Sequence, residues 1–182
     1  MNGRMTTPAP NRPDIFTAKF STGDLAKAAD VTTAALQTWI RRGLIVGADG
    51  TGIDMPGQAG IRRAFTFGHV IEVAVGAAML RNTVFSPSQA FKAARTFAYT
   101  GTEGRRPGVP FRDGFTLLCV DGDRAVVLHI AEFETVAEMN RSLRAAEGYY
   151  TLFANMVFDR AVHALGWHPE EVLEAAYSEA RA

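Results

Sequence analysis

The chain has one cysteine, Cys119, in 182 residues. No disulfide can form within it, and a reducing compartment is expected. It has no apolar run of about 18 residues, so neither a membrane span nor a membrane partner is expected. The first sixteen residues hold Pro8, Pro10 and Pro13 but no apolar core, which argues against a secretory signal and for a cytoplasmic protein. Metal-ligand spacing is missing among His69, His129, His163 and His168, and the last two lie five apart across Gly166. The glycine-rich stretch from Gly47 to Gly60 lacks the Gly-Lys-Ser/Thr of a phosphate loop. Ser142, Ser178, Glu132, Glu134 and Glu138 form no nucleophile–base pattern, and Cys119 falls in a β-prone run where a buried, inert thiol is expected. No catalytic residue, metal or cofactor is expected from these features.

Excess charge of one sign is also lacking, since 19 Lys and Arg offset 19 Asp and Glu. The balance hides a split. Residues 1–112 carry 14 basic and 7 acidic side chains, whereas residues 113–182 carry 5 and 12. A basic first part joined to an acidic second part suggests a polyanion-binding module followed by a module of different purpose. At 47% apolar and 21% charged the chain has a globular composition.

Residues 1–16 read as a mobile, disordered arm. Ser21 or Thr22 can cap a short helix to about Ala29, with Leu25, Ala28 and Ala29 inward. Asp30-Val31-Thr32 reads as a tight turn. Thr32 or Thr33 then caps a second helix to about Arg42, with Leu36, Trp39 and Ile40 apolar and Gly43 as its stop. Leu44 to Val46 and Ile61 to Phe65 flank a glycine-rich segment, which predicts a β-ribbon with a long tip. Helices follow from Phe67 to about Asn82, capped by Thr66, and from Ser86-Pro87 to about Tyr99. A Gly/Pro/Arg-rich stretch at 100–112 reads as a subdomain joint, and its Arg105-Arg106 loop as solvated, with contact to a flanking phosphate or an acidic partner as the alternative. Phe115 to Val120 and Ala125 to Ile130 predict a hairpin about Asp121-Gly122-Asp123. Helices are then predicted from Thr135 to about Ala146, from Tyr150 to Leu165 and from Pro169 to about Ala180.

Residues 22–41 fit a helix-turn-helix: Ala26 is small where two helices cross, Leu25, Val31, Leu36 and Trp39 can lock the crossing, and Asp30 tolerates a left-handed turn. With Gly43, Leu44, Arg63, Phe65 and Thr66 downstream, residues 20–82 resemble the MerR-type winged helix. Excisionase-like DNA-binding domains are similar. The chain departs from the MerR pattern at Gln37, where that family has Arg. It also departs in its longer ribbon tip, and no long dimerisation helix follows Asn82. The resemblance implies a DNA-binding domain over 17–82, with helix 33–42 in the major groove and the ribbon as a wing. Thr32, Thr33, Gln37 and Thr38 would face base edges, and Lys19, Arg41, Arg42, Arg62 and Arg63 would neutralise phosphates. Trp39 is read chiefly as a packing residue, with its indole N–H toward a phosphate as the alternative.

Residues 83–182 read as a helical module with one β-hairpin, serving dimerisation or sensing a protein or small-molecule effector, and dimerisation is preferred. The expected whole is mostly α with small β (α+β). Its expected function is that of a homodimeric, sequence-specific transcription regulator bound to double-stranded DNA. An excisionase-like or DNA-packaging architectural factor, or a protein–protein adaptor that keeps the helix-turn-helix fold, are the alternatives.

Overall fold

A computed structural model describes residues 14–50, 53, 64–82, 85–130, 141, 143 and 148–178. The fold is α+β. Six helices are described: α1 (Thr22–Ala29), α2 (Thr33–Arg41), α3 (Phe67–Asn82), α4 (Pro87–Tyr99), α5 (Ala154–Ala164) and α6 (Pro169–Ser178). They accompany one antiparallel sheet of order β2-β1-β3, formed by β1 (Thr116–Asp121), β2 (Arg124–His129) and β3 (Tyr150–Phe153).

The helix starts follow from local chemistry. Ser21 and Asp24 form a capping box on α1, and Ser86 and Gln89 form another on α4, each satisfying backbone N–H groups that the first helical turn leaves open. Thr32 caps α2 by accepting from the Ala35 N–H at 3.2 Å. At α3 the residue three past Thr66 is His69, whose Nδ1 accepts from the Thr66 N–H at 3.1 Å, a role more often filled by Glu or Gln.

Three of the helix ends share one solution. After α2, the Leu44 N–H reaches Trp39 O and the Gly43 N–H reaches Ile40 O, with Gly43 left-handed at φ 65. After α5, Trp167 and Gly166 repeat the pattern on Val162 and His163. After α1, Val31 and Asp30 repeat it on Ala26 and Lys27, with Asp30 at φ 54. Each satisfies carbonyls that the last turn leaves open. A Cβ at Gly43 would meet nothing within 4 Å, so any effect of adding one there is purely conformational. Gly43→Ala is therefore expected to lower stability by about 1 kcal/mol, read from the midpoint of urea unfolding at unchanged slope.

The α3 helix is the hub. Val70, Ile71, Val73, Ala74, Val75, Ala77, Ala78 and Met79 are all buried, so it is apolar around its whole circumference and must be covered on every side. The α1, α4 and α5 helices supply that cover. One apolar cluster runs without a break from Ile15 to Ala176, across the expected boundary between residues 82 and 83.

Several expectations need correction. Residues 14–16 of the expected arm are packed: Ile15 is buried and Phe16 sits edge-on to Phe67, because the Asp14 carboxylate and carbonyl hold a turn that folds both inward. Leu44 to Val46 forms no strand. Phe65 pairs instead with Phe20 as an isolated antiparallel bridge. Residues 150–153, predicted as the start of a helix, form β3 on β1. Tyr, Thr and Phe suit a pleated surface, and the apolar strand β1 offers an unpaired edge that the local helical period does not reveal. The helix expected at 135–146 lies outside the described residues, apart from Arg141 and Leu143, which are helical.

The stretch 100–112 is folded against α4 rather than forming a joint. Arg105 is 3% exposed and donates to the carbonyls of Phe97, Thr100, Arg106 and Val109, with its guanidinium 5.0 Å from the Phe97 ring centroid. A turn-rich loop packed on a helix must satisfy its carbonyls, and Arg105 supplies the donors. Burial lowers its pKa to about 10. Arg106 donates to Ala176 O, which ties α6 to the same loop.

The hairpin is as the sequence predicts. Gly122 opens a two-residue loop at φ 55, the first position of a turn that needs glycine. One sheet face, with Leu118, Val120, Val127 and Leu152, joins the main core. Leu117, Cys119, Leu128 and Leu143 form a second cluster.

Candidate nucleic-acid interface

The α2 helix is the element on which the sequence-predicted site concentrates. Leu36 is fully buried and Ile40 is buried. The Trp39 ring is half-buried and meets Phe91 of α4 edge-on, with centroids 5.1 Å apart. These three side chains fix one side of the helix. Thr33, Ala34, Gln37 and Arg41 are exposed on the other, as a period of 3.6 residues requires.

The predicted residues differ in how free they are. Gln37 is exposed, and no hydrogen bond of its amide is seen among the described residues. The Thr32 oxygen is engaged as the cap of α2. The Thr38 hydroxyl donates to Ala34 O at 2.9 Å and accepts from Arg41 Nη2 at 3.3 Å. It therefore steers the Arg41 guanidinium along the helix surface. Arg42 is exposed at the helix end, beside the Gly43 turn. Lys19 is exposed on the segment leading into the Phe20 bridge, close enough to His69 for its charge to oppose protonation there. Arg62 and Arg63 lie outside the described residues.

The sequence reading missed the groups that hold this surface in place. Arg81, near the end of α3, donates from Nη1 to Ala29 O at 2.9 Å and to Asp30 O at 3.2 Å. It thus fixes the turn between α1 and α2 from the hub helix. Its ion pair with Asp30 is long, at 3.9 Å, and Asp30 is largely exposed, so the carbonyl bonds matter more.

Glu72 is the other. It is 0% exposed in the middle of α3. Its carboxylate accepts from the N–H groups of Val46 and Gly47 at 3.2 and 3.3 Å and from the Tyr99 hydroxyl at 3.0 Å. The segment that leaves α2 is therefore bound to the hub through its backbone. Val46 and Gly47 spend their N–H groups on this carboxylate instead of on a partner strand. Burial raises the Glu72 pKa, and its three donors pull it back. The same burial, with Glu72 alongside, raises the Tyr99 pKa. A lone acid in an otherwise apolar helix was the available signal, because such a group must find buried donors.

His69 completes the network. Burial lowers its pKa, and its Nδ1 is an acceptor for Thr66, so the neutral ring carries its proton on Nε2. It lines a cavity of about 450 Å³ with Val46, Asp49, Phe65 and Tyr99. Burial also pushes the Cys119 thiol up, away from the reactive thiolate. Among the described residues no group of three or more His, Cys, Asp or Glu is placed to hold a metal, and no helix is long and apolar enough to cross a membrane. Comparison of the chain with known protein families, with curated proteins and with solved structures finds no match.

Proposed function

We propose that this chain is a sequence-specific, DNA-binding transcription regulator of the MerR-like winged-helix type, acting in the cytoplasm as a homodimer, with α2 as its recognition helix. The observation that carries this reading is the division of α2. One side is locked by Leu36, Ile40 and Trp39, and the other presents Gln37 and Arg41 to solvent, with Thr33 and Thr38 alongside. A helix held at both ends and along one side can enter a major groove without losing its shape.

In this reading Gln37 addresses a base edge, where its amide can pair with both N6 and N7 of adenine. Arg41 and Arg42 lie against phosphates and fix the register. Thr32 and Thr38 serve the helix itself, through the cap and through Arg41. Trp39 serves as packing, and Arg81 holds the turn.

Fluorescence anisotropy with duplexes tiling the gene's own upstream region is the test. One tile is expected to bind tightly and to keep its advantage as salt rises. Gln37→Ala is expected to cost about 1–3 kcal/mol on that tile and little on the others. Arg41→Ala with Arg42→Ala is expected to weaken every tile alike. Equal binding of every tile, lost together as salt rises, would favour an architectural DNA-binding factor instead.

A protein–protein adaptor is the second reading. Phe115, Ile130, Phe153 and Met156 are the large apolar side chains exposed among the described residues. Three of them cluster at one end of the sheet, where Phe115 and Phe153 meet edge-on and the Ile130 N–H bonds Phe115 O. Such clustering marks contact surfaces more often than scattered exposure does. Failure to retain any duplex at low salt would move this reading to first place.

A further inference from the structure

We infer that the groove between residues 47–50 and α4 seats a backbone phosphate of the bound duplex, with Lys92 and Arg95 as its counter-charges. The inference rests on the DNA-binding reading of α2 and extends the interface to an element outside the sequence-predicted site.

The groove has a volume of about 460 Å³. One wall is α4, which presents Lys92, Arg95 and Thr96, with Thr100 just past its end. Spacings of three and four residues place Lys92, Arg95 and Thr96 on one face of the helix. Two cations and a hydroxyl on one face form a donor set suited to an anion with several oxygens. The other wall is residues 47–50, whose root at Gly47 is held through its backbone N–H by the Glu72 carboxylate.

Placement ties the groove to α2. Residues 43–50 run directly from the basic helix end at Arg41 and Arg42. Phe91, next to Lys92, is the residue that meets Trp39. Lys92 and Arg95 thus stand on the helix whose Phe91 supports Trp39, in the last turn of the recognition helix. A duplex in contact with Arg41 and Arg42 carries one charge per roughly 1.7 Å of its axis, so further phosphates lie within reach along the strand.

Three carboxylates oppose the ligand: Glu72, whose charge Arg95 already faces, and two others, of which Asp123 gives the inference its sharpest test. Asp49 lines the groove. Asp123, at the tip of the β1–β2 hairpin, pairs with Lys92 at 3.5 Å, and both side chains are more than half exposed. A pair this exposed is weak, so a phosphate can displace Asp123 from Lys92. In the free protein Asp123 is then a stand-in for the phosphate.

The test compares four proteins on one duplex, by anisotropy across about 50 to about 200 mM salt. Lys92→Ala with Arg95→Ala is expected to lower the slope of log affinity against log salt by about one unit and to weaken all duplexes alike. Asp123→Asn is expected to act in the opposite direction, tightening binding by roughly two- to threefold at low salt, as removal of a competing surface charge should. The opposite sign separates the seat from mere loss of folding, which weakens binding in every variant. Wild-type slope and affinity in both variants, while Arg41→Ala with Arg42→Ala weakens binding, would overturn the seat and leave the recognition helix standing. Absence of any duplex binding by the wild-type chain would overturn both.

Discussion

Phe91→Ala is expected to cost about 3–5 kcal/mol, the usual range for emptying an aromatic site in a closed core. Phe91 is 1% exposed, and its ring lies against the backbone of Gly76 in α3. A Cβ built on Gly76 would come within 2.8 Å of Phe91 Cε1, so the two helices approach closely only because that position has no side chain. The same ring meets Trp39, with centroids 5.1 Å apart. Truncation therefore removes the filler between α3 and α4 and the floor beneath α2 together. Urea unfolding is expected to show the loss as a lower midpoint at unchanged slope, with a red shift of tryptophan emission before the main transition as Trp39 gains water. A loss below about 1 kcal/mol would mean that the α3–α4 interface collapses to refill the site, and that Trp39 does not need it.

The second large effect concerns Glu72. Glu72→Ala leaves two backbone N–H groups and the Tyr99 hydroxyl without their acceptor. A buried donor left open costs about 1–3 kcal/mol; Gly47 is buried, Val46 and Tyr99 are half-buried, and a costly buried charge disappears, so a net loss of roughly 3 kcal/mol is expected. Glu72→Gln keeps an acceptor oxygen and the shape and should lose less.

The pH dependence has a definite sign. The Glu72 pKa is raised in the folded chain, chiefly by burial. Its contribution to stability is therefore fully present below the ordinary carboxylate range and is lost as pH rises through the raised value. The stability advantage of wild type over Glu72→Gln should shrink across that window, measured by thermal unfolding at a series of pH values. A difference that stays constant with pH would show that Glu72 titrates at its ordinary value.

What the sequence made legible was local. Ser21, Thr32 and Ser86 are caps because a hydroxyl three residues before an N–H needs no knowledge of the rest of the chain. Gly43 and Gly166 end helices for a reason held in their own backbone. The exposed and buried sides of α2 follow from the spacing of Leu36, Trp39 and Ile40. The unread parts depend on distant partners. Glu72 reaches back 26 residues to Val46, Arg81 reaches 52 to Ala29, and the pairing of β3 with β1 joins residues 117–120 to 150–153. Phe153, Met156, Val157 and Ala161 keep helical spacing, and nothing local shows that Phe153 ends a strand. Arg105 reads as a solvated loop cation because the carbonyls it serves are gathered only by folding.

The same division applies to the candidate site. Its surface residues, Gln37, Arg41 and Arg42, could be named from sequence. The residues that hold them, Phe91, Glu72 and Arg81, could not, since each acts through a contact from another helix. The Lys92–Asp123 pair, which links the first part of the chain to the acidic hairpin, was equally hidden.

Replacing single adenines by 7-deazaadenine in the tightest-binding upstream duplex tests the central claim most directly, because N7 lies in the major groove and is one of the two adenine atoms Gln37 addresses. With α2 as recognition helix, wild-type protein is expected to lose affinity when one of these adenines is replaced, and Gln37→Ala to be insensitive to the same replacement while remaining folded. Full wild-type affinity with every adenine so replaced in turn, or an equal loss in Gln37→Ala, would contradict α2 as the reader of the groove.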